Sequence, residues 1–160
     1  GVYLGLSAPE EITRAFDSIQ RKNPVPGNAP VPVLVQEMVR GSLEIYVGSR
    51  RDPEFGPLVT FGLGGLFVEA MGHVASCLAP VTVAEAEGMV DESGVSRALR
   101  RLRVDQAVCR ARIVDNIVRL SELIARHSEI HTLEINPLVL KESDGQCIAV
   151  DVVALISRKV

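Results

Sequence analysis

Apolar and polar positions change their period several times along this chain, and each change marks an element. Val2 to Leu6 has the pattern of a strand. Ser7, with Glu10 three residues on, is capping-box chemistry that opens a helix to about Lys22, and Ile12, Ala15, Phe16 and Ile19 give that helix an apolar face. Asn23 to Pro32 holds four of the nine prolines together with Gly27, so the periodicity stops there in a loop or lobe boundary. Three strand patterns follow, Val33 to Val39, Leu43 to Arg50 and Leu58 to Leu63, separated by turn residues at 40–42 and 52–57, an order that predicts an antiparallel meander. Ala75 to Leu78 reads as a further short strand. Thr82 caps one helix and Asp105 another, in which Ile113, Ile117, Leu120 and Ile124 recur at helical spacing and predict a core stripe. Ile130 to Leu140 and Cys147 to Leu155 are β-rich on either side of Ser143-Asp144-Gly145, which predicts a hairpin. Strands, then helices, then a hairpin, with no βαβ repetition, place the chain in the α+β class, an antiparallel sheet with flanking helices.

Composition narrows the partners. A length of 160 residues suits a single domain over 1–160 with a Pro-rich loop at 23–32, able to bury a core without disulfides. At 47% hydrophobic and 23% charged, with no apolar run near twenty residues and no signal-peptide pattern at its start, the chain is expected to be soluble, cytoplasmic and free of membrane. Cys77, Cys109 and Cys147 are odd in number and widely spaced in apolar contexts, as reduced core thiols are. A net charge of -3 argues against bulk attraction to nucleic acid. The locally basic stretch of Arg97, Arg100, Arg101, Arg103, Arg110 and Arg112 reads as a solvated helix face for most of its members.

Two stretches carry chemistry. Strand alternation puts Glu134 and Asn136 of Glu134-Ile135-Asn136-Pro137-Leu138 on one face roughly 7 Å apart, with Asp151 able to reach that face from the partner strand. Two carboxylates and an amide oxygen suit a hard cation such as Mg2+, which takes its remaining oxygens from water and phosphate; the competing reading is a hairpin with a solvated polar face. The second stretch is Phe61-Gly62-Leu63-Gly64-Gly65-Leu66-Phe67-Val68-Glu69. Its glycines permit backbone amides to approach phosphate oxygens, or they simply make a tight turn between strands. It lacks the lysine of a P-loop and the third glycine of the dinucleotide fingerprint.

In order along the chain, Val33-Leu34-Val35-Gln36-Glu37-Met38-Val39, Leu43-Glu44-Ile45-Tyr46-Val47-Gly48, Arg51-Asp52-Pro53-Glu54-Phe55-Gly56-Pro57, Gly62-Leu63-Gly64-Gly65 with Glu69, Leu78-Ala79-Pro80 and Glu134-Ile135-Asn136-Pro137 resemble the ATP-grasp domain of ADP-forming acyl-CoA synthetases, and more distantly succinyl-CoA synthetase β subunits. The resemblance covers nearly the whole chain. It implies a nucleotide, ATP or ADP, and Mg2+ as ligands. By this likeness the main chain of Gln36, Glu37 and Met38 meets adenine, Glu44 accepts from the ribose hydroxyls, and Asn136 and Asp151 ligate magnesium with Glu134 as an additional oxygen. Asp52, Gly64, Gly65 and Glu69 then lie on loops facing the phosphates or a phosphorylated partner residue.

The implied reaction converts an acyl-CoA, ADP and phosphate to a carboxylate, CoA and ATP through an acyl phosphate and a phosphohistidine. That histidine belongs to a CoA-binding partner domain or subunit; His73, His127 and His131 match no such motif. The chain opens after the lysine- and glycine-containing loop of the family's first lobe, and of the family's glycine-arginine-glycine turn only Arg103 is kept. The missing lobe is expected to expose apolar surface and to favour self-association. Two other readings are carried beside the synthetase: a truncated or degenerate ATP-grasp module acting as a non-catalytic interaction or regulatory domain, and a small dinucleotide-binding domain with Gly62 to Gly65 opening a helix after a parallel strand.

Overall fold

In the computed structural model, which describes residues 1–27, 29–65 and 74–157, the chain divides into two units, Gly1–Met38 and Val39–Val160. The first is built on helix α1 (Pro9–Lys22). Its cap differs by one residue from the sequence expectation. Pro9 takes the first helical position, so Ala8 is the cap and the third helical residue is Glu11 rather than Glu10. Glu11 Oε2 accepts from the backbone N–H of Ser7 (2.9 Å) and Ala8 (3.1 Å) and from the Ser7 hydroxyl (3.3 Å). The Gln20 side chain bonds both polar groups of the Val31 backbone, at 2.7 and 2.8 Å, and so ties the proline-rich loop back to the helix.

Neither Val2–Leu6 nor Val33–Val39 forms a strand, contrary to their patterns. An apolar run states a willingness to pair, but a ladder needs a neighbouring edge, and neither segment joins the sheet. Val2 and Leu34 are each 84% exposed. The meander accordingly begins at Leu43.

The second unit is a six-stranded sheet in the order β3-β2-β1-β4-β5, with β6 also paired to β4. The strands are β1 (Leu43–Asp52), β2 (Gly56–Leu63), β3 (Val74–Leu78), β4 (Ile130–Leu140), β5 (Cys147–Ala149) and β6 (Val152–Ile156), and every ladder is antiparallel. This is the α+β arrangement expected from the sequence. Its helices are α2 (Val83–Glu92), α3 (Val95–Leu99) and α4 (Gln106–Arg126). Thr82 and Glu85 close a capping box on α2, and Asp105 Oδ1 accepts from the N–H of Ala107 and Val108 at 3.1 Å to start α4. The short α3 has no counterpart in the sequence pattern; it starts from Gly94, whose φ of 77° suits glycine.

One sheet face carries the core. Ile45, Val47, Val59, Phe61, Leu133 and Leu138 meet Met89, Val90, Ile113, Ile117 and Ile124 of the helices, the predicted α4 stripe among them. The cysteines are unpaired, with Cys109 buried and Cys77 and Cys147 partly so, and burial pushes the Cys147 thiol up to about 11. Five of the six arginines of the basic stretch are exposed, as a solvated face requires. Arg110 is the exception: it grips both Asp91 carboxylate oxygens (2.7 and 2.8 Å) and the Glu87 carbonyl (2.9 Å), binding α4 to α2. No helix among the described residues is long and apolar enough to cross a membrane.

Arg51 on β1 has a structural task. Its guanidinium donates to the carbonyls of Ile124 (2.6 Å) in the last turn of α4, His127 (3.2 Å) and Ile130 (3.4 Å) at the start of β4, and so ties β1 to the end of that helix. Arg51→Ala should lower stability by about 2 kcal/mol in urea unfolding, the size expected for lost hydrogen bonds to a charged donor.

Candidate functional site

The sheet face opposite the helices collects polar residues and glycines. Ile45 and Val47 point into the core, so alternation puts Glu44, Tyr46 and Gly48 of β1 on the outer face, with Thr60 and Gly62 of β2 beside them. On β4, Glu134 and Asn136 also point outward, but Leu138 is in the core. Alternation fails there because β4 carries one extra residue against β1, the register shifting between Ile45↔Leu138 and Val47↔Ile135. The extra residue lies opposite Tyr46, at the Asn136–Pro137 step.

Four of the residues singled out in the sequence meet where β1, β2 and β4 come side by side. Gly64 N–H donates to the Glu44 carbonyl at 2.8 Å, and Gly65 N–H donates to Asn136 Oδ1 at 3.1 Å. A Cβ on Gly65, whose φ is +66°, would come within 2.0 Å of Glu44 Oε2. The Glu44 carboxylate, Gly64, Gly65 and the Asn136 amide thus form one cluster. Both glycine amides are spent within the protein, so in this state they fix Glu44 and Asn136 rather than offering a phosphate cradle.

Asp151 stands across from Asn136. The expected second strand is broken here into β5 and β6, leaving Asp151 in the link between them rather than on a strand; the Asn136 N–H donates to the Asp151 carbonyl at 3.1 Å, so the two backbones are joined, and both residues are exposed. Glu134 lies across from Gly48 on one side and Val153 on the other. Among the described residues no three His, Cys, Asp or Glu side chains are grouped closely enough to hold a metal ion. A cation here would therefore depend on the amide oxygen and on oxygens of its own ligand. The donor chemistry fits a hard ion: Asn136 Oδ1 has a lone pair left after Gly65, and Asp151, whose backbone is bonded to that of Asn136, carries an exposed carboxylate.

Gln36, Glu37 and Met38 are exposed in the extended end of the first unit. Glu69 and His73 lie outside the described residues. Asp52 closes the β1–β2 turn, its Oδ1 accepting from the N–H of Glu54 (2.9 Å) and Phe55 (3.1 Å), which hold its carboxyl below the usual range. It is eight residues from Glu44 along β1, about 26 Å at strand rise. His127 pairs with Glu129 and His131 with the Ser157 hydroxyl, both on exposed surface.

Sequence reading passed over Tyr46. Its side chain lies along the strand on Gly48, where an added Cβ would stand 2.1 Å from the phenol oxygen. Burial, and then the nearby charge of Glu134, raises its pKa. An aromatic residue two positions from Glu44 on a polar face was the available signal.

The dinucleotide-binding alternative needs a parallel strand before Gly62 to Gly65. That stretch instead ends β2 in an antiparallel ladder, which removes the reading.

Comparison with known proteins gives the family and the fold. The family described as ATP-grasp domain matches residues 1–156. The β subunit of an ADP-forming acetate–CoA ligase I from Pyrococcus furiosus is 35% identical over 153 residues, covering 94% of this chain and 65% of that subunit. An ADP-forming acetate–CoA ligase I from Archaeoglobus fulgidus is 42% identical over 111 residues, 69% of this chain and 16% of the ligase. Acetyl-coenzyme A synthetase 1 of Ca. Korarchaeum cryptofilum, solved with coenzyme A, Ca-AMPCP and HgCl+, superposes with a TM-score of 0.82 at 30% identity, covering 98% of this chain and 69% of that one. A second structure of that protein, with coenzyme A and Mg-AMPPCP and its phosphohistidine segment pointing towards the nucleotide binding site, gives 0.80 at 30% identity over 98% and 68%. The chain spans 65% and 16% of the lengths of the two ligases from Pyrococcus furiosus and Archaeoglobus fulgidus, less than two thirds of either.

Proposed function

Because the chain belongs to the ATP-grasp family, in the branch carried by ADP-forming acetyl-CoA synthetases, we propose that it is the nucleotide-binding part of an ADP-forming acyl-CoA synthetase. Residues 1–160 would be the C-terminal portion of the ATP-grasp domain, working in the cytoplasm with a CoA-binding, phosphohistidine-bearing partner. The observation that carries the reading is the convergence of Glu44, Gly65 and Asn136, with the Asp151 backbone bonded to that of Asn136.

Each residue has a role that its chemistry supports. Glu44 accepts hydrogen bonds from the ribose hydroxyls, and the main chain of Gln36, Glu37 and Met38 offers donors and acceptors to adenine. Asn136 and Asp151 would supply oxygen ligands to Mg2+, with Glu134 as a further oxygen, the nucleotide supplying others. Magnesium, when bound, neutralises charge on the transferring phosphoryl group. Gly64 and Gly65 position Glu44 and Asn136 and let the nucleotide come close to the sheet. Such a site positions and neutralises; it does not itself supply a nucleophile, in keeping with a phosphohistidine on another domain.

Calorimetric titration with Mg-ADP tests this. The expected result is millimolar or tighter binding, about -4 kcal/mol or better, weakened at least about ten-fold in Asn136→Ala and Asp151→Ala and lost on chelation of the metal. No binding heat at any magnesium concentration would favour a non-catalytic module instead.

A further inference from the structure

The nucleotide reading leaves Tyr46 without a task, although it occupies the middle of the candidate face. Its phenol lies flat on Gly48, which only a residue lacking Cβ allows, since an added Cβ would stand 2.1 Å from Oη and 2.6 Å from Cζ. Gly48 pairs with Glu134, so the hydroxyl end of the ring is carried towards that carboxylate, while the extra residue of β4 brings Asn136 opposite the start of the same side chain. Among the described residues nothing hydrogen-bonds Tyr46 Oη. The hydroxyl is not among the buried unpartnered atoms, so it is open to solvent and available to a ligand on this face. The phenol is protonated at neutral pH, as a tyrosine ordinarily is.

We propose that the Tyr46 hydroxyl donates a hydrogen bond to a phosphate oxygen of the nucleotide held at Asn136 and Asp151, a further binding contact that rests on the reading given above. Its chemical value is its neutrality. Glu134, Asp151 and the phosphates are all anionic, and a hydroxyl donor between Glu134 and a phosphoryl oxygen relieves their repulsion without competing for the metal.

The test is a titration of this chain followed by two-dimensional amide NMR, with Mg-AMPPCP and with adenosine as probes. Tyr46→Phe keeps the ring and removes only the hydroxyl. It should weaken Mg-AMPPCP by about ten-fold, leave adenosine unchanged, and leave the melting temperature within a degree or two of the parent. Gly48→Ala, which must lift the ring, should show the same selectivity. Equal affinity of Tyr46→Phe and the parent chain for Mg-AMPPCP would overturn the proposal, as would equal loss for both probes, which would mark a packing role. Absence of any Mg-AMPPCP response in the parent chain would instead remove the nucleotide reading, and this contact with it.

Discussion

Gly64→Ala should cost about 3 kcal/mol of stability and at least ten-fold in Mg-nucleotide affinity, the upper end of what overpacking does. A Cβ at this position would stand 2.6, 2.8 and 2.9 Å from the C, O and N atoms of Ile45, all main chain. Ile45 cannot move aside, because it is paired to Leu63 on one flank and to Leu138 on the other and its side chain is fully buried. The residues after β2 must therefore lift off. Lifting them breaks the Gly64 bond to the Glu44 carbonyl, then the Gly65 bond that orients Asn136 Oδ1. Urea unfolding and Mg-ADP titration of the same variant measure the two effects. Gly88→Ala is the control, with nothing within 4 Å of its added Cβ and a helical site that should gain up to about 1 kcal/mol. A Gly64→Ala variant that still bound Mg-ADP with parent affinity would show that the glycine contact has no part in the site.

Phe61→Ala should be the most damaging single truncation, at about 4 kcal/mol. Phe61 is the largest fully buried side chain, on a strand flanked on both sides, facing Val47 and Ala75 in register. Removing its ring leaves a cavity in the layer between sheet and helices that backbone pairing on both flanks prevents from closing. Against a typical total of 5–15 kcal/mol the loss is large, and it should lower the urea midpoint by about 2 M. Phe61→Leu, which refills most of the volume, should recover more than half of it. The next outward-facing residue is Gly62, so the variant also loosens the candidate face from below, and nucleotide affinity should fall along with stability. An unchanged midpoint would mean that the sheet and helices are not joined through this residue.

Much of the second unit was legible before folding. The α4 stripe, the caps at Thr82 and Asp105, the hairpin around Ser143-Asp144-Gly145 and the antiparallel sheet all depend on spacing between near neighbours, and local spacing survives into the structure. Where the pattern misled, a distant partner was the missing term. Val2–Leu6 and Val33–Val39 have strand composition, yet neither forms a strand. The capping box slid from Glu10 to Glu11 because Pro9 claims the first turn. Arg110 belonged to a stretch expected to be mostly a solvated face, yet it joins two helices, and Arg51 ties β1 to the end of α4, which no count of neighbouring residues reveals.

By itself, the sequence determined which residue types were present to hold a phosphate-bearing ligand, Glu44, the paired glycines, Asn136 and Asp151, and the periodicities of the elements carrying them. Only the tertiary structure decided that Glu44, the two glycines and Asn136 meet. Strict alternation would have sent Glu134, Asn136 and Leu138 to one side of the sheet; the extra residue opposite Tyr46 keeps the first two outward and returns Leu138 to the core. It also decided that the Gly64 and Gly65 amides are directed at Glu44 and Asn136. A strand's period is a property of its own backbone, whereas a register shift and a hydrogen bond between residues 65 and 136 exist only once separate strands have been packed against a common core.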